Sequence, residues 1–300
     1  MSESTSSPTA AEVRRPRRSV LYMPAANERA LEKAKSIPAD ALIFDLEDAV
    51  APEAKEMARA QAVAAAGSGE YGRRETTIRC NGLDTHWGDA DLAAAATSGA
   101  DAVVIPKVDD VRNLEQISAR LDEAGAPDTM KIWAMVETPV AIFEARALAA
   151  FQRVAVLVMG TNDLAKELRA VAGPERQSLV PHLAAAVLAA RAEGVAILDG
   201  VFNDVKDVDG FRSEALQGFE LGFDGKTLIH PSQVEPANEI WAPGDEDIAE
   251  AKRVIEAFAQ AEADGQGVVT VDGRMVENLH RDNALRVLAM ADAVAALGNG

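Results

Sequence analysis

"ALIFDLEDAVAPEAKEMARAQAVAAA", residues 41–66, carries the reading of the fold in one stretch. Ala41 to Phe44 form a continuous apolar run, the composition of a strand buried on both faces. The run closes on Asp45, Glu47 and Asp48, and an Ala-rich segment of helical period follows from Pro52. Strand, acidic loop and helix in that order make one unit of a parallel α/β fold.

The unit recurs along the chain. Strands are expected at 19–24, 41–47, 76–82, 101–107, 131–138, 154–163, 195–202 and 222–231, with helical segments such as "VRNLEQISARLDEAG" and "VAIFEARALAAF" between them. Eight strand–helix units predict a TIM-type (β/α)8 barrel, with a doubly wound open sheet as the alternative. Residues 1–17, rich in Ser, Thr, Pro and Arg, read as a tail, and 18–243 as the barrel. Residues 244–300 read as a helical C-terminal extension. Its middle portion, 266–280, is expected to act as a lid over a barrel mouth or to cross to a neighbouring subunit.

Of the 300 residues, 48% are apolar and 4% aromatic, which describes a globular protein. A formal charge of −18 excludes nucleic acid as the expected partner, because phosphate binding needs a basic face. No apolar run reaches the roughly 18 residues of a membrane span, and the N-terminus lacks a signal-peptide core, so a cytoplasmic location is expected. Cys80 alone supports neither a disulfide framework nor a multi-cysteine metal cluster, and reads as a small packed residue.

Barrel active sites sit at the C-terminal ends of the strands, so the polar residues closing each apolar run are the ones to weigh. They are Asp45, Glu47 and Asp48; Arg79 and Asn81; Lys107; Glu137 and Thr138; Thr161, Asn162 and Asp163; Asp199 and Asn203; Lys226 and His230. So many ionisable groups at one rim need a compensating cation. Oxygen ligands abound and no paired-His spacing occurs, which points to Mg²⁺, with Mn²⁺ as the other hard ion that would serve. Glu137 and Asp163 are the direct ligands expected, while Asp45 and Glu47, two apart on one strand face, would hold metal-bound waters. Asp48 is equally a helix cap. Arg79, a cation inside an apolar strand, would meet a substrate carboxylate with its planar fork, the alternative being an internal salt bridge to Asp45 or Glu47. Lys33 reads as helix surface and His230 as a turn-orienting residue or a site residue.

"RRSVLYMP", "IFDLEDAVAPEAK", "IRCNGLDT", "VVIPKV", "MVETP", "MGTNDLAKEL" and "GFDGKTLIHPSQV", in this order and spacing, resemble the citrate-lyase beta-subunit-like CoA-ester lyases of the HpcH/HpaI aldolase superfamily. The resemblance runs from Arg18 onward and is strongest to the branch that hydrolyses (3S)-malyl-CoA. It implies a barrel with an added C-terminal segment in a homotrimer or homohexamer, and Mg²⁺ on Glu137 and Asp163. Arg79 would bind the oxygens of the oxo or hydroxy acid, and Tyr22 and Lys33 the CoA thioester portion. Asp45, Asn81, Glu137, Ile229 and His230 would complete the substrate-binding set. Two positions depart from the lyases of the family. Asn27 stands where malyl-CoA lyases carry Arg, and Glu277 stands where an Asp acts on the acetyl-CoA methyl group. A carboxylate displaced by one methylene transfers that proton poorly, so hydrolysis of the CoA thioester is the outcome expected. Arg79, Glu47 and Glu277 form the expected catalytic set. The alternative is reversible C–C cleavage of malyl-, methylmalyl- or citryl-CoA. A non-catalytic CoA-binding protein would be expected to lose its metal carboxylates, and both are present.

Overall fold

The computed structural model describes residues 15–173, 175–263, 269–271 and 273–298. Residues 1–14 of the expected tail, and 266–268 and 272 of the expected lid, lie outside them. By internal contacts the chain divides into two compact units, one spanning Arg17–Trp241 and a second that includes Ala242–Gly300.

In the first unit eight parallel strands close a barrel in chain order. They are β1 (Ser19–Pro24), β2 (Ala41–Asp45), β3 (Glu75–Arg79), β4 (Ala102–Ile105), β5 (Lys131–Val136), β6 (Val154–Met159), β7 (Ala196–Asp199) and β8 (Gly225–Leu228). Closure is made by β1 pairing with β8, and the register sets Pro24, Asp45 and Arg79 side by side. Around the strands run α1 (Glu28–Ala34), α2 (Lys55–Gly67), α3 (Gly88–Ala96), α4 (Val111–Glu123), α5 (Pro139–Ala149), α6 (Thr161–Glu167), α7 (Val180–Glu193), α8 (Val208–Leu221) and α9 (Val234–Trp241).

Side chains alternate across each strand, which separates two apolar layers. Val20, Ile43, Val104, Trp133, Met135, Val156 and Leu198 fill the barrel. Leu21, Leu42, Phe44, Val103, Ile132, Leu157 and Ile197 pack outward against the helices. The same alternation carries Tyr22, Asp45, Arg79 and Glu137 onto the inner face at the C-terminal rim. At the opposite end, Arg17 binds Glu75 through two hydrogen bonds of 2.6 and 2.9 Å and lies 5.4 Å over the Trp133 ring. Arg17, the last residue of the expected tail, is therefore tied to the barrel.

The sixth strand is shorter than its sequence suggests. It ends at Met159, and Thr161, Asn162 and Asp163 form the first turn of α6, with Gly160 at the N-cap. An acid in a helix's first turn faces the positive end of the peptide dipoles, so "GTND" reads correctly as a helix start.

In the second unit α10 (Asp245–Ala263) packs on α11 (Asn278–Gly298) through Ala251, Val254 and Ala284. Between them β9 (Val269–Val271) and β10 (Arg274–Val276) form an antiparallel hairpin. Among the described residues no helix is long and apolar enough to cross a membrane.

Candidate active site

At the C-terminal rim of the barrel a cavity of about 320 Å³ opens, lined among others by Tyr22, Asp45, Arg79, Glu137, Asp163 and Ile229. Arg79 is its organising cation. Its Nε and Nη2 donate to the two oxygens of Asp45 at 2.7 and 2.6 Å, while Nη1 lies 2.7 Å from Glu47 and 3.4 Å from Asp48. The Tyr22 ring stacks 4.7 Å from the guanidinium carbon. The internal salt bridge left open by the sequence is thus formed. Nη1 is the solvent-facing end of the fork, since its partner Asp48 is exposed while Asp45 is buried. Asp45 also accepts from the amides of Glu47 and Ala49 at 2.9 and 3.2 Å, which binds the acidic loop into a tight turn. Burial pushes the Glu47 carboxyl up to about 7, with Asp48 and Asp45 adding to the rise and Arg79 opposing it. Burial likewise pushes the Tyr22 phenol up.

Glu137 closes β5, and the three residues "ETP" explain its placement. Thr138 caps α5 by accepting from the Ala141 amide at 3.0 Å, and Pro139 occupies the first turn. The Glu137 side chain is 3% exposed, yet it forms no ion pair with any described residue. Among the described residues its one hydrogen bond is from the Lys107 amide at 2.7 Å, directed by a positive φ of 51° at Lys107. Burial pushes it up to about 7, and repulsion from Glu47 and Asp163 contributes. Gly160 leaves the room it occupies, since a Cβ there would lie 2.3 Å from Glu137 Oε2. Asp163 lines the same cavity. Glu137 without an ion pair and Asp163 with only the exposed Lys166, 3.9 Å away, together suit a hard divalent ion. No group of three or more acidic, His or Cys ligands converges among the described residues, so water and substrate oxygens would complete the shell of such an ion.

Other expected site residues are placed elsewhere. Lys33 is exposed on α1 and does not line the cavity. Asn81 is buried away from it, donating to Leu46 O and Asp91 at 2.9 and 2.6 Å and accepting from Lys55 at 2.9 Å. His230 caps a short turn through Ser232, 2.8 Å from its Nδ1, which is its structural reading. Glu277 lies exposed in the second unit, its amide donating to His280. Asp199, the last residue of β7, and Lys226, the second of β8, point into the helical layer. There Lys226 donates to Asp199 and Glu214 at 2.8 Å each, and Arg176 to Asp199 at 2.8 Å. Burial alone would raise Asp199; those two cations outweigh it and hold the carboxyl below its ordinary value. Sequence reasoning missed the Lys107 amide and the cavity-lining residues Met135 and Met159, for which no local motif exists.

A closed parallel barrel with an acidic, arginine-centred rim defines an α/β-barrel enzyme, and the chain belongs to the HpcH/HpaI aldolase/citrate lyase family, whose model matches residues 18–231. Among proteins of known activity it is similar to the (3S)-malyl-CoA thioesterase of Cereibacter sphaeroides, 50% identical over 281 residues covering 94% of this chain and 96% of the relative. The citrate lyase subunit beta of Escherichia coli is 37% identical, covering 93% of this chain and 94% of the relative. Among solved structures, the CitE protein of Mycobacterium tuberculosis in complex with magnesium, acetoacetate and coenzyme A superposes with a TM-score of 0.72 at 28% identity. That match covers 91% of this chain and 97% of that one.

Proposed function

We propose that this enzyme hydrolyses (3S)-malyl-CoA to malate and CoA with Mg²⁺. The observation that carries the reading is the 50% identity to a (3S)-malyl-CoA thioesterase across nearly the whole of both chains. Glu137 and Asp163 would hold Mg²⁺, and Mn²⁺ suits the same oxygen donors. The bound ion supplies a positive centre that polarises the oxygens of the acyl head. Arg79 meets the same anionic head by releasing Nη1 from Glu47 and Asp48, while Asp45 keeps hold of the other side of the fork. Tyr22 keeps the guanidinium plane in place. Glu47, with its carboxyl near 7, is suited to take the proton of the attacking water once Nη1 turns to substrate. Ile229 offers apolar surface on the cavity wall. Lys33 on α1 would contribute only at the outer, CoA-bearing end. We place the enzyme in the cytoplasm as a homotrimer or homohexamer.

The second reading, C–C cleavage to an acyl-CoA and a 2-oxo acid, is favoured by the likeness to citrate lyase subunit beta. One assay separates the two. Purified protein is given (3S)-malyl-CoA and Mg²⁺ while free thiol, glyoxylate and acetyl-CoA are followed together. Free CoA with malate and without glyoxylate is expected. Glyoxylate with acetyl-CoA and no free thiol would replace hydrolysis by the lyase reaction.

A further inference from the structure

Lys55, the first residue of α2, is buried, and its ammonium lies beneath the acidic loop rather than at the surface. Nζ donates to Leu46 O at 2.7 Å, to Glu47 O at 2.8 Å and to Asn81 Oδ1 at 2.9 Å, so all three of its protons are used. The Trp87 ring closes the remaining side, 5.2 Å away. Among the described residues no carboxylate pairs with it directly. A buried ammonium satisfied only by neutral acceptors is an expensive arrangement, and burial duly lowers its pKa. A salt bridge or an apolar side chain would serve packing alone at less cost.

What the arrangement accomplishes is visible at residue 47. The Glu47 amide is held by Asp45 Oδ1 at 2.9 Å and its carbonyl by Lys55. Leu46 is held on both sides as well, its amide donating to Arg79 O at 3.0 Å and its carbonyl accepting from Lys55 and from Asn81 at 2.9 Å. Asn81 is in turn seated by Asp91, and Asp91 by Arg59 at 2.6 Å. The backbone that carries the Glu47 carboxylate toward Arg79 is thus clamped from below by one cation.

We infer that Lys55 is a positioning residue for the reaction: by holding the Leu46 and Glu47 carbonyls it sets the Glu47 carboxylate against Arg79, which lines the cavity. The role rests on the proposed hydrolysis, and it extends it to a residue outside the cavity lining. Asn81 acts on the same backbone, through this ammonium and through its own hydrogen bond to Leu46 O, rather than on substrate.

A double-mutant cycle tests it. Wild type, Lys55→Met, Glu47→Gln and the double variant are compared on (3S)-malyl-CoA at saturating Mg²⁺, with kcat and KM determined separately and folding checked by circular dichroism. Lys55→Met should lower kcat by roughly ten- to a hundredfold, as loss of a supporting hydrogen-bond partner does, while KM moves by less than about twofold. In the Glu47→Gln background the same substitution should change kcat by less than about twofold, because the group it positions is already disabled. Equal fold-losses in both backgrounds, or a loss carried by KM, would overturn the inference. If Lys55→Met does not fold, Lys55→Gln, which keeps two N–H donors without the charge, goes through the same cycle with the same two outcomes. The substrate reading stands or falls on wild-type turnover alone, so its failure is distinguishable from that of the cycle.

Discussion

Replacing Glu137 by Gln isolates the electrostatic strain of the metal-free site. Burial lifts the Glu137 carboxyl from an ordinary 4.5 to about 7, so the folded chain holds its proton more tightly than the unfolded chain does. Between those two values the native state binds more protons, and stability falls as pH rises, reaching its full loss above about 7. A shift of about 2.5 units at roughly 1.4 kcal/mol each gives a penalty of about 3 kcal/mol at pH 8, against about 1 kcal/mol at pH 5. Gln keeps the shape and can still accept from the Lys107 amide, but carries no charge. Without divalent cations, Glu137→Gln should therefore be more stable than wild type at pH 8, and its advantage should shrink by about 2 kcal/mol at pH 5. The substitution also removes the repulsion between Glu137 and Glu47. Urea unfolding with a chelator at the two pH values reads the difference directly. Added Mg²⁺ should then stabilise wild type, by about 2.7 kcal/mol at a hundred times its dissociation constant, and leave the variant unmoved. An advantage independent of pH, or a variant less stable than wild type at pH 8, would refute the reasoning.

Gly160→Ala brings a Cβ within 2.4 Å of Glu137 Cβ; a destabilisation of about 1–3 kcal/mol and a raised Mg²⁺ requirement are expected, measured by thermal melting and by Mg²⁺ titration of activity. Arg79→Met leaves Asp45 buried without its partner, which should cost about 3–5 kcal/mol in urea unfolding and abolish measurable turnover. Glu277→Asp introduces the shorter carboxylate that the resemblance to the family's lyases leads one to expect there, so the ratio of glyoxylate to free CoA should rise on product analysis; an unchanged ratio would exclude Glu277 from the chemistry.

Much of this protein was legible before folding was considered. Each of the eight apolar runs became a strand, and the acids and Arg79 that close them line the rim cavity in large part. "ETP" carries strand end, cap and helix start in three letters, which is why Glu137 could be placed. The limits of that legibility are as particular. A parallel strand buried on both faces is apolar throughout, so its sequence hides which parity faces the barrel axis. Asp199 and Lys226 were read as rim groups for that reason, and they face the helices. Asn81 and His230 resemble site residues in composition, but Asn81 is bound to Lys55, Leu46 and Asp91, and the His230 Nδ1 to Ser232 in a short turn.

What the sequence by itself determined is the local part: element type, strand count, the caps and the presence of carboxylates at strand ends, all of which depend on periodicity and near neighbours. Only the tertiary structure decided the pairings. Arg79 meets Asp45 because β2 and β3 lie in register, and the Lys107 amide reaches Glu137 only through a backbone turn at positive φ. Lys55 reads as an ordinary helix residue until α2 folds it beneath the loop. The first two contacts join residues of neighbouring strand–helix units, and the parallel pairing of β2 with β3 and of β4 with β5 is what brings them together.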